Sequence, residues 1–301
     1  MSRTPSRFRS EPVNRIFAVL VLYKMRAEQS PSFCALQRAL ATRPSLAARM
    51  EVLVVDNSPE RQELPADFVG RYVHDGANPG LARRYNETLQ QASAAKAAWL
   101  LLLDQDTSLT PAYFDQLEVL TDSLAEDAHI VGILPRLIAG ERLLSPHIPA
   151  FRRSTYRLHL GVKGLLGGLI RGFNSGAMLR VSALEAIGGF PEQYWLDYLD
   201  HATFHRLQAR GGEFFIMDVS LEHELSIHRA DKHADPANAQ RHRNQLAAQM
   251  LFYEEHGTPE ERRRNRLNLV SRAWDSLIHA RFAEAGRLIE AAFSSAQKVS
   301  A

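Results

Sequence analysis

Short, wholly apolar runs alternate with segments of helical spacing through the first half of the chain, the pattern of an α/β protein built on a mostly parallel sheet. Ile16 to Tyr23 is a continuous apolar run suited to a strand buried on both faces. Ser30 and Pro31 then supply an N-cap and a first-turn residue for a helix to about Leu40. Val52 to Val55 predicts the next strand, which runs into Asp56, Asn57, Ser58 and Pro59, a cluster of turn formers. Asn78, Pro79 and Gly80 mark another turn, after which Leu81, Tyr85, Leu89 and Ala92 recur at helical spacing. Trp99 to Leu103 is the most apolar strand and leads straight into Asp104, Gln105 and Asp106, while Thr110 with Pro111 opens the helix that follows. Val131 to Leu134 predicts a fourth strand.

The pattern then loosens. Residues 140 to 172 form a basic, Gly-rich stretch with no assignable period, expected to be flexible. Ser182 and Glu185 have capping-box spacing ahead of a short helix ended by Gly188 and Gly189. A second helix, about Asp200 to Arg210, stops at Gly211 and Gly212. Beyond Ser226 only helices are expected: Pro236 to His256, closed by Gly257, and another opened by Thr258, Pro259, Glu260 and Glu261. The implied division is a basic, disordered N-terminus over 1–13, an α/β domain over 14–228 and a helical region over 229–301. In that last region Leu267, Val270, Trp274, Leu277 and Ile278 make one apolar stripe, preceded by Arg262, Arg263, Arg264 and Arg266. The stripe fits packing against the main domain or a second subunit, and it also fits contact with an anionic membrane surface.

Composition narrows the function classes. Residues 1–15, 16–228 and 229–301 carry net charges of +3, −4 and +3, so the main domain lacks the basic stripe of a duplex binder and no nucleic-acid partner is expected. A single cysteine, Cys34, forbids an intrachain disulfide framework and a thiolate-rich metal site, and fits a reducing, cytoplasmic setting. The longest apolar runs fall far short of the roughly 20 residues of a spanning helix. No small-residue cleavage site follows Ile16 to Tyr23, so an export signal is not expected either.

Several side chains could carry chemistry. Asp104 and Asp106 follow a buried strand with one residue between them, and extended geometry sends alternate side chains to the same side. Such a pair can hold Mg²⁺ or Mn²⁺ and leave positions open for phosphate oxygens; it can equally be a solvated turn. Asp56 ends a strand where open α/β sheets bind ligands, and fits either a nucleotide contact or an Asx-turn onto Ser58. The Asn78–Gly80 turn, with Arg83 and Arg84 close behind, could bring backbone amides and guanidinium groups to a diphosphate. Asp197 and Asp200 lie at the mouth of a helix, where one could be a general base or both could simply favour the helix N-terminus. His223 and His228 are five apart, which excludes the zinc-protease helix and leaves His223 as a single metal ligand or an ordinary hydrogen-bonded histidine. There is no G-x-S-x-G elbow, Walker A loop or G-x-G-x-x-G after the first strand.

Taken in order, VLYK at Val21–Lys24, VVDNS at Val54–Ser58, NPGLARRYN at Asn78–Asn86 and LLDQD at Leu102–Asp106 resemble family 2 glycosyltransferases. FNSGAMLRVSALEAIGGFPE, WLDYLDHATFHRL and VSLEHELS resemble the acceptor and catalytic segments of the same family, particularly its rhamnosyltransferase-like branch. The resemblance covers about residues 14 to 228. It implies a GT-A fold (Rossmann-like, with helices flanking the sheet), a dTDP- or UDP-sugar donor, Mg²⁺ or Mn²⁺, and inverting transfer, most plausibly of L-rhamnose, to a surface-glycan or lipid-linked acceptor. By position, Tyr23, Asp56, Asn78, Gly80, Arg83 and Asp104 would bind the donor, Asp106 and His223 the metal, and Asp200 would be the catalytic base. Asn174, Ser175, Gly176, Trp195 and Asp197 would lie on the acceptor side, together with the 140–172 stretch. The setting implied is cytoplasmic, at the inner face of a membrane or in a homo-dimer through the C-terminal helices.

The chain departs from that family's pattern at three places: Lys24 replaces an Asn, Ala202 stands where an acid often follows the base, and Ser226 replaces a frequent Gly. Lys24 and Ala202 keep a rival in view, a non-catalytic sugar-nucleotide-binding scaffold of a glycan-assembly complex. A nucleotidyltransferase is a weaker rival, because Lys24 to Pro31 contains no Gly for a phosphate loop.

Overall fold

The computed structural model describes residues 14–148, 160–223 and 236–293, with the side chains of 236–238 left aside. The expectations for 1–13, for the centre of the 140–172 stretch, and for Ser226 and His228 fall outside the described residues.

Strand β1 (Ile16–Leu22) is buried along nearly its whole length, as a strand with parallel neighbours on both sides must be. It lies between β2 (Met50–Asp56) and β4 (Trp99–Asp104), and β3 (Arg71–His74) extends that parallel half beyond β2. The other half contains β5 (Ile130–Ala139), β6 (Arg142–Ser145), β7 (Gly164–Leu166), β8 (Met178–Arg180) and β9 (Glu213–Glu222). The order is β3-β2-β1-β4-β8-β5-β9-β7, with β6 paired to β5; β8 is antiparallel to both β4 and β5, and β9 is parallel to β5.

Helices cover both faces. α1 (Pro31–Thr42), α2 (Pro44–Arg49) and α4 (Pro111–Ser123) belong with one apolar cluster, and α3 (Leu81–Ala94), α5 (Val181–Ala186) and α6 (Leu199–Ala209) with the other. The signals that start them act as expected at α1, where Ser30 Oγ accepts from Phe33 N at 3.2 Å, and at α4, where Thr110 Oγ1 accepts from Tyr113 N at 3.3 Å. The capping box expected at Ser182 does not form. α5 starts one residue after β8 with Arg180 at its N-cap, so Ser182 is already inside the helix and Glu185 instead accepts from Ser93 Oγ.

The 140–172 stretch is not structureless where it is described. β6 and β7 pair into the sheet, and His147 and Arg171 exchange two backbone hydrogen bonds of 2.8 Å. Its Gly and Arg content hid these strands because each is only three or four residues long.

The C-terminal helices are α7 (Pro236–His256), α8 (Pro259–Ile278) and α9 (Phe282–Phe293). α7 is bonded to the sheet domain: Phe252 is buried in its second core and Tyr194 Oη donates to Glu255 at 2.9 Å. α8 and α9 form a separate small core with α7 around Leu246, Met250, Leu269 and Leu288. A full capping box opens α8, in which Thr258 Oγ1 accepts from Glu261 N and Glu261 returns the bond to Thr258 N. The apolar stripe does not pack on the main domain. α8 buries Asn265, Leu269, Ala273 and Ser276 instead, and Leu267, Trp274 and Ile278 are 59, 66 and 66% exposed. No described helix is long and apolar enough to cross a membrane.

Candidate active site at the strand ends

Parallel register brings the candidate residues to one edge. Leu22 pairs with Asp56 and Val21 with Asp104, so the loops after β1, β2 and β4 leave the sheet side by side. This is the edge where open α/β sheets bind ligands. The loop after β4 is held from α1, because Ser30 Oγ donates to Gln105 O at 2.6 Å and Ser32 Oγ to Thr107 O at 2.9 Å. Gln105 in turn accepts from Tyr23 N at 2.8 Å, which ties the end of β1 to the D-Q-D loop and leaves the Tyr23 ring 41% exposed beside it.

Asp56 is fully buried, and its carboxylate accepts from Ser58 N at 2.9 Å, Gln62 Nε2 at 2.8 Å and Tyr72 Oη at 2.9 Å. Burial pushes its pKa up, but these donors outweigh it and hold the carboxyl below its ordinary value. The Asx-turn is therefore built, and a donor base would share this carboxylate with Gln62 and Tyr72.

The two arginines after Gly80 part company. Arg83 turns outward and pairs with Glu87. Arg84 is buried and bound to Asp75, Glu87 and Asn57, the last at 2.9 Å, so it braces the β2 loop. Asn78 and Gly80 have φ of 43° and 97°, left-handed values that suit Asn and Gly. Leu81 N donates to Trp195 O at 2.8 Å, which docks this turn on the segment ahead of α6.

Asp104 closes β4 and accepts a hydrogen bond from Ser175 Oγ. Its pKa is raised to about 6, first by burial; Ser175 pulls it down, Asp106 and Asp200 push it up and His223 pulls it down. These groups thus form one electrostatic neighbourhood drawn from β4, the Asn174–Gly176 turn, α6 and the end of β9. The turn is stitched to β4 by Gly176 N to Leu102 O at 2.9 Å and to α4 by Tyr113 Oη to Gly176 O at 2.7 Å.

Asp200 lies in the first turn of α6, with Tyr198 at the N-cap in a left-handed conformation, φ 63°. Burial raises its pKa to about 7; the amides of His201 and Asp200 and the charge of Arg171 pull the other way. His201, 3.5 Å from Asp200, is neutral, since burial and then Arg171 push it down to about 3. Burial also raises Asp197, which Arg241 opposes and Asp200 reinforces. Ala202 is fully buried in the core, so no second acid follows Asp200 at this position.

Among the described residues no three His, Cys, Asp or Glu groups are placed to hold a metal ion. Asp106 is exposed at the strand end, and His223 presents a buried Nδ1 with no hydrogen-bond partner. An ion that takes one or two protein ligands completes its shell with phosphate oxygens.

Two residues at the site were missed by sequence reasoning. Tyr85 reads as a core position of α3, yet its buried hydroxyl has no hydrogen-bond partner and the charges of Asp104 and Asp200 act on it. Arg171 sits in a stretch without periodicity; it stacks on Phe252 and Tyr253 at 5.0 and 5.5 Å from the ring centroids while biasing Asp200. Asn174 Oδ1 is another buried polar atom without a hydrogen-bond partner.

No family model matches the chain, and no curated protein sequence matches it. Among solved structures, the S. aureus TarS 1–349 structure aligns at a TM-score of 0.50 with 14% identity, covering 92% of this chain and 90% of that one. A longer S. aureus TarS structure aligns at 0.48 with 14% identity over 86% of this chain and 49% of its own, so the chain spans about half of that protein. A CMP:2-keto-3-deoxy-manno-octonic acid synthetase complexed with CTP gives 0.37 with 13% identity over 70% of this chain and 91% of its own. The likeness to TarS 1–349 and the strand order together show a GT-A-like α/β fold with added C-terminal helices.

Proposed function

We propose that the protein is an inverting glycosyltransferase of the family 2 kind, which moves a sugar from a nucleoside-diphosphate donor to an acceptor hydroxyl. The donor the motifs favour is dTDP-L-rhamnose, and the acceptor a surface glycan or lipid-linked saccharide. Asp200 carries the reading: burial raises its carboxyl pKa to about 7, and it lies within electrostatic reach of Asp104 at the end of β4. That is the pKa and placement a general base needs at physiological pH.

In this reading the acceptor hydroxyl hydrogen-bonds to Asp200. As its oxygen attacks the anomeric carbon, the proton passes to Asp200, the anomeric C–O bond to the diphosphate breaks, and the electron pair leaves on the diphosphate. One displacement from the opposite face inverts the centre. Asp104 and the exposed Tyr23 ring border the donor, and Tyr85 Oη and Asn174 Oδ1 offer buried polar atoms to it. Asp106 and His223 would hold the divalent ion, which supplies charge neutralisation for the departing diphosphate.

Asp200→Asn is expected to keep donor binding while turnover falls about 10²- to 10⁴-fold, since shape is preserved and proton acceptance is lost. Near-normal turnover removes Asp200 and this reading with it. The scaffold alternative draws on Ala202, which leaves a single acid at α6; it requires donor binding without turnover in the unmodified protein.

A further inference from the structure

The apolar row on α8 and the cleft beneath it point to where an acceptor arrives. Leu267, Val270, Trp274, Leu277 and Ile278 share the outward face of α8 and are 37 to 66% exposed. Arg263 lies in line with this row one turn before Leu267, and Arg264 and Arg266 flank it, all three exposed. α9 adds Phe282, Ile289 and Phe293, exposed on one face of its own.

This is the make-up of a helix that lies in a lipid interface, with Trp, Leu and Ile at headgroup depth and guanidinium groups on lipid phosphates. A second copy seated parallel on the same row would bring its own Arg263, Arg264 and Arg266 against these, and like charges disfavour that pairing. An anionic bilayer satisfies both the apolar row and the charge.

A cleft of about 740 Å³ opens beside the row, lined among others by Arg171, Tyr198, Gln249, Leu267 and Arg272. Leu267 belongs to both row and cleft. The lining also includes Tyr198, the N-cap of the helix bearing Asp200, and Arg171, whose charge acts on Asp200. Arg264, paired with Glu260, also borders it, and the lining sets the carboxylate of Glu261 against Arg171 and Arg272. Fixed guanidinium groups beside amides and tyrosines select a phosphate.

We propose that α8 docks this face on an anionic bilayer and that the cleft takes the phosphate of a lipid-linked acceptor, presenting its sugar hydroxyl to Asp200. Only the last step rests on the glycosyltransferase reading; docking and phosphate binding are measured without turnover.

The full chain is expected to float with phosphatidylcholine vesicles containing phosphatidylglycerol, not with phosphatidylcholine alone, and to be released by salt. The double variant Leu267→Glu, Trp274→Glu should weaken this at least about tenfold at an unchanged melting temperature, because both side chains are exposed in the folded chain. Equal binding to neutral vesicles, no binding, or unaltered binding by the variant overturns the docking. So does a dimer in gel filtration that the same variant dissociates. For the cleft, vesicles doped with a polyprenyl phosphate should bind more tightly than phosphatidylglycerol vesicles of equal charge, and Arg272→Gln should abolish the difference. No such difference, no effect of Arg272→Gln, or full competition by soluble inorganic phosphate overturns the lipid-phosphate assignment. Thermal stabilisation by dTDP and UDP without vesicles reads the donor site separately: vesicle binding with no nucleotide response leaves the docking standing and removes the glycosyltransferase reading.

Discussion

Gly80 and Trp195 are packed so closely that a methyl group on residue 80 would lie 2.5 Å from Trp195 Nε1. The Asn78–Gly80 turn and the segment that leads into α6 are thereby one unit, joined also by the bond from Leu81 N to Trp195 O. Gly80→Ala meets two obstacles at once, the indole and a φ of 97°. It is expected to cost about 1–3 kcal/mol in chemical denaturation and to weaken nucleotide binding, whereas Trp195→Ala in the same background should recover part of the stability. Full stability in Gly80→Ala alone would show that the turn does not need this fit.

With Asp200 as the proposed base, activity depends on pH. A base must be deprotonated to work, so turnover should rise with pH through about 7 as a single ionisation. The positive charge of Arg171 pulls this pKa down, so Arg171→Gln should move the midpoint upward. A midpoint that stays in place in Arg171→Gln would uncouple the two groups.

The same carboxylate opposes stability. Its folded pKa of about 7 exceeds the ordinary 3.8, so between those values the folded state holds a proton that the unfolded state has lost. Its contribution is therefore fully present below about pH 4 and is lost as pH rises through about 7. Asp200→Asn should accordingly be about 1–3 kcal/mol more stable than the unmodified protein at pH 8, with the difference vanishing toward pH 4. Denaturation curves at the two pH values decide it.

Lys24 occupies the left-handed region at φ 52°, where its amide donates to Ser58 Oγ at 2.8 Å. Asn tolerates that conformation better than Lys. Lys24→Asn should therefore raise stability by about 0.5–1 kcal/mol with nucleotide affinity kept or improved, as read by thermal shift with and without dTDP. A loss of stability would mean that the lysine, whose Nζ lies 5.2 Å from the Tyr23 ring centroid, contributes more than its backbone costs.

Asp106 tests the ion. Mn²⁺ should strengthen donor binding in the unmodified protein and have no effect in Asp106→Ala, measured by calorimetry. Donor binding and turnover unchanged in excess chelator would leave Asp106 without the role given to it.

Much of this was legible along the chain. The buried runs at Ile16, Val52 and Trp99, the caps at Ser30, Thr110 and Thr258, and the acids at the strand ends follow from local physics: apolar continuity, Ser and Thr ahead of Pro, and Asp at the exit of a parallel strand. Short strands were not legible, because β6, β7 and β8 have three or four residues each and draw their stability from partners far away in sequence. Only the tertiary structure decided that Arg84 braces while Arg83 faces water, that Asp56 is saturated by Gln62 and Tyr72, and that Tyr85 reaches the site. It also turned the stripe of α8 outward. A helical period reveals an apolar face but not what covers it, and burial, which moves Asp200 to about 7 and Asp104 to about 6, exists only once distant segments close over the carboxylates.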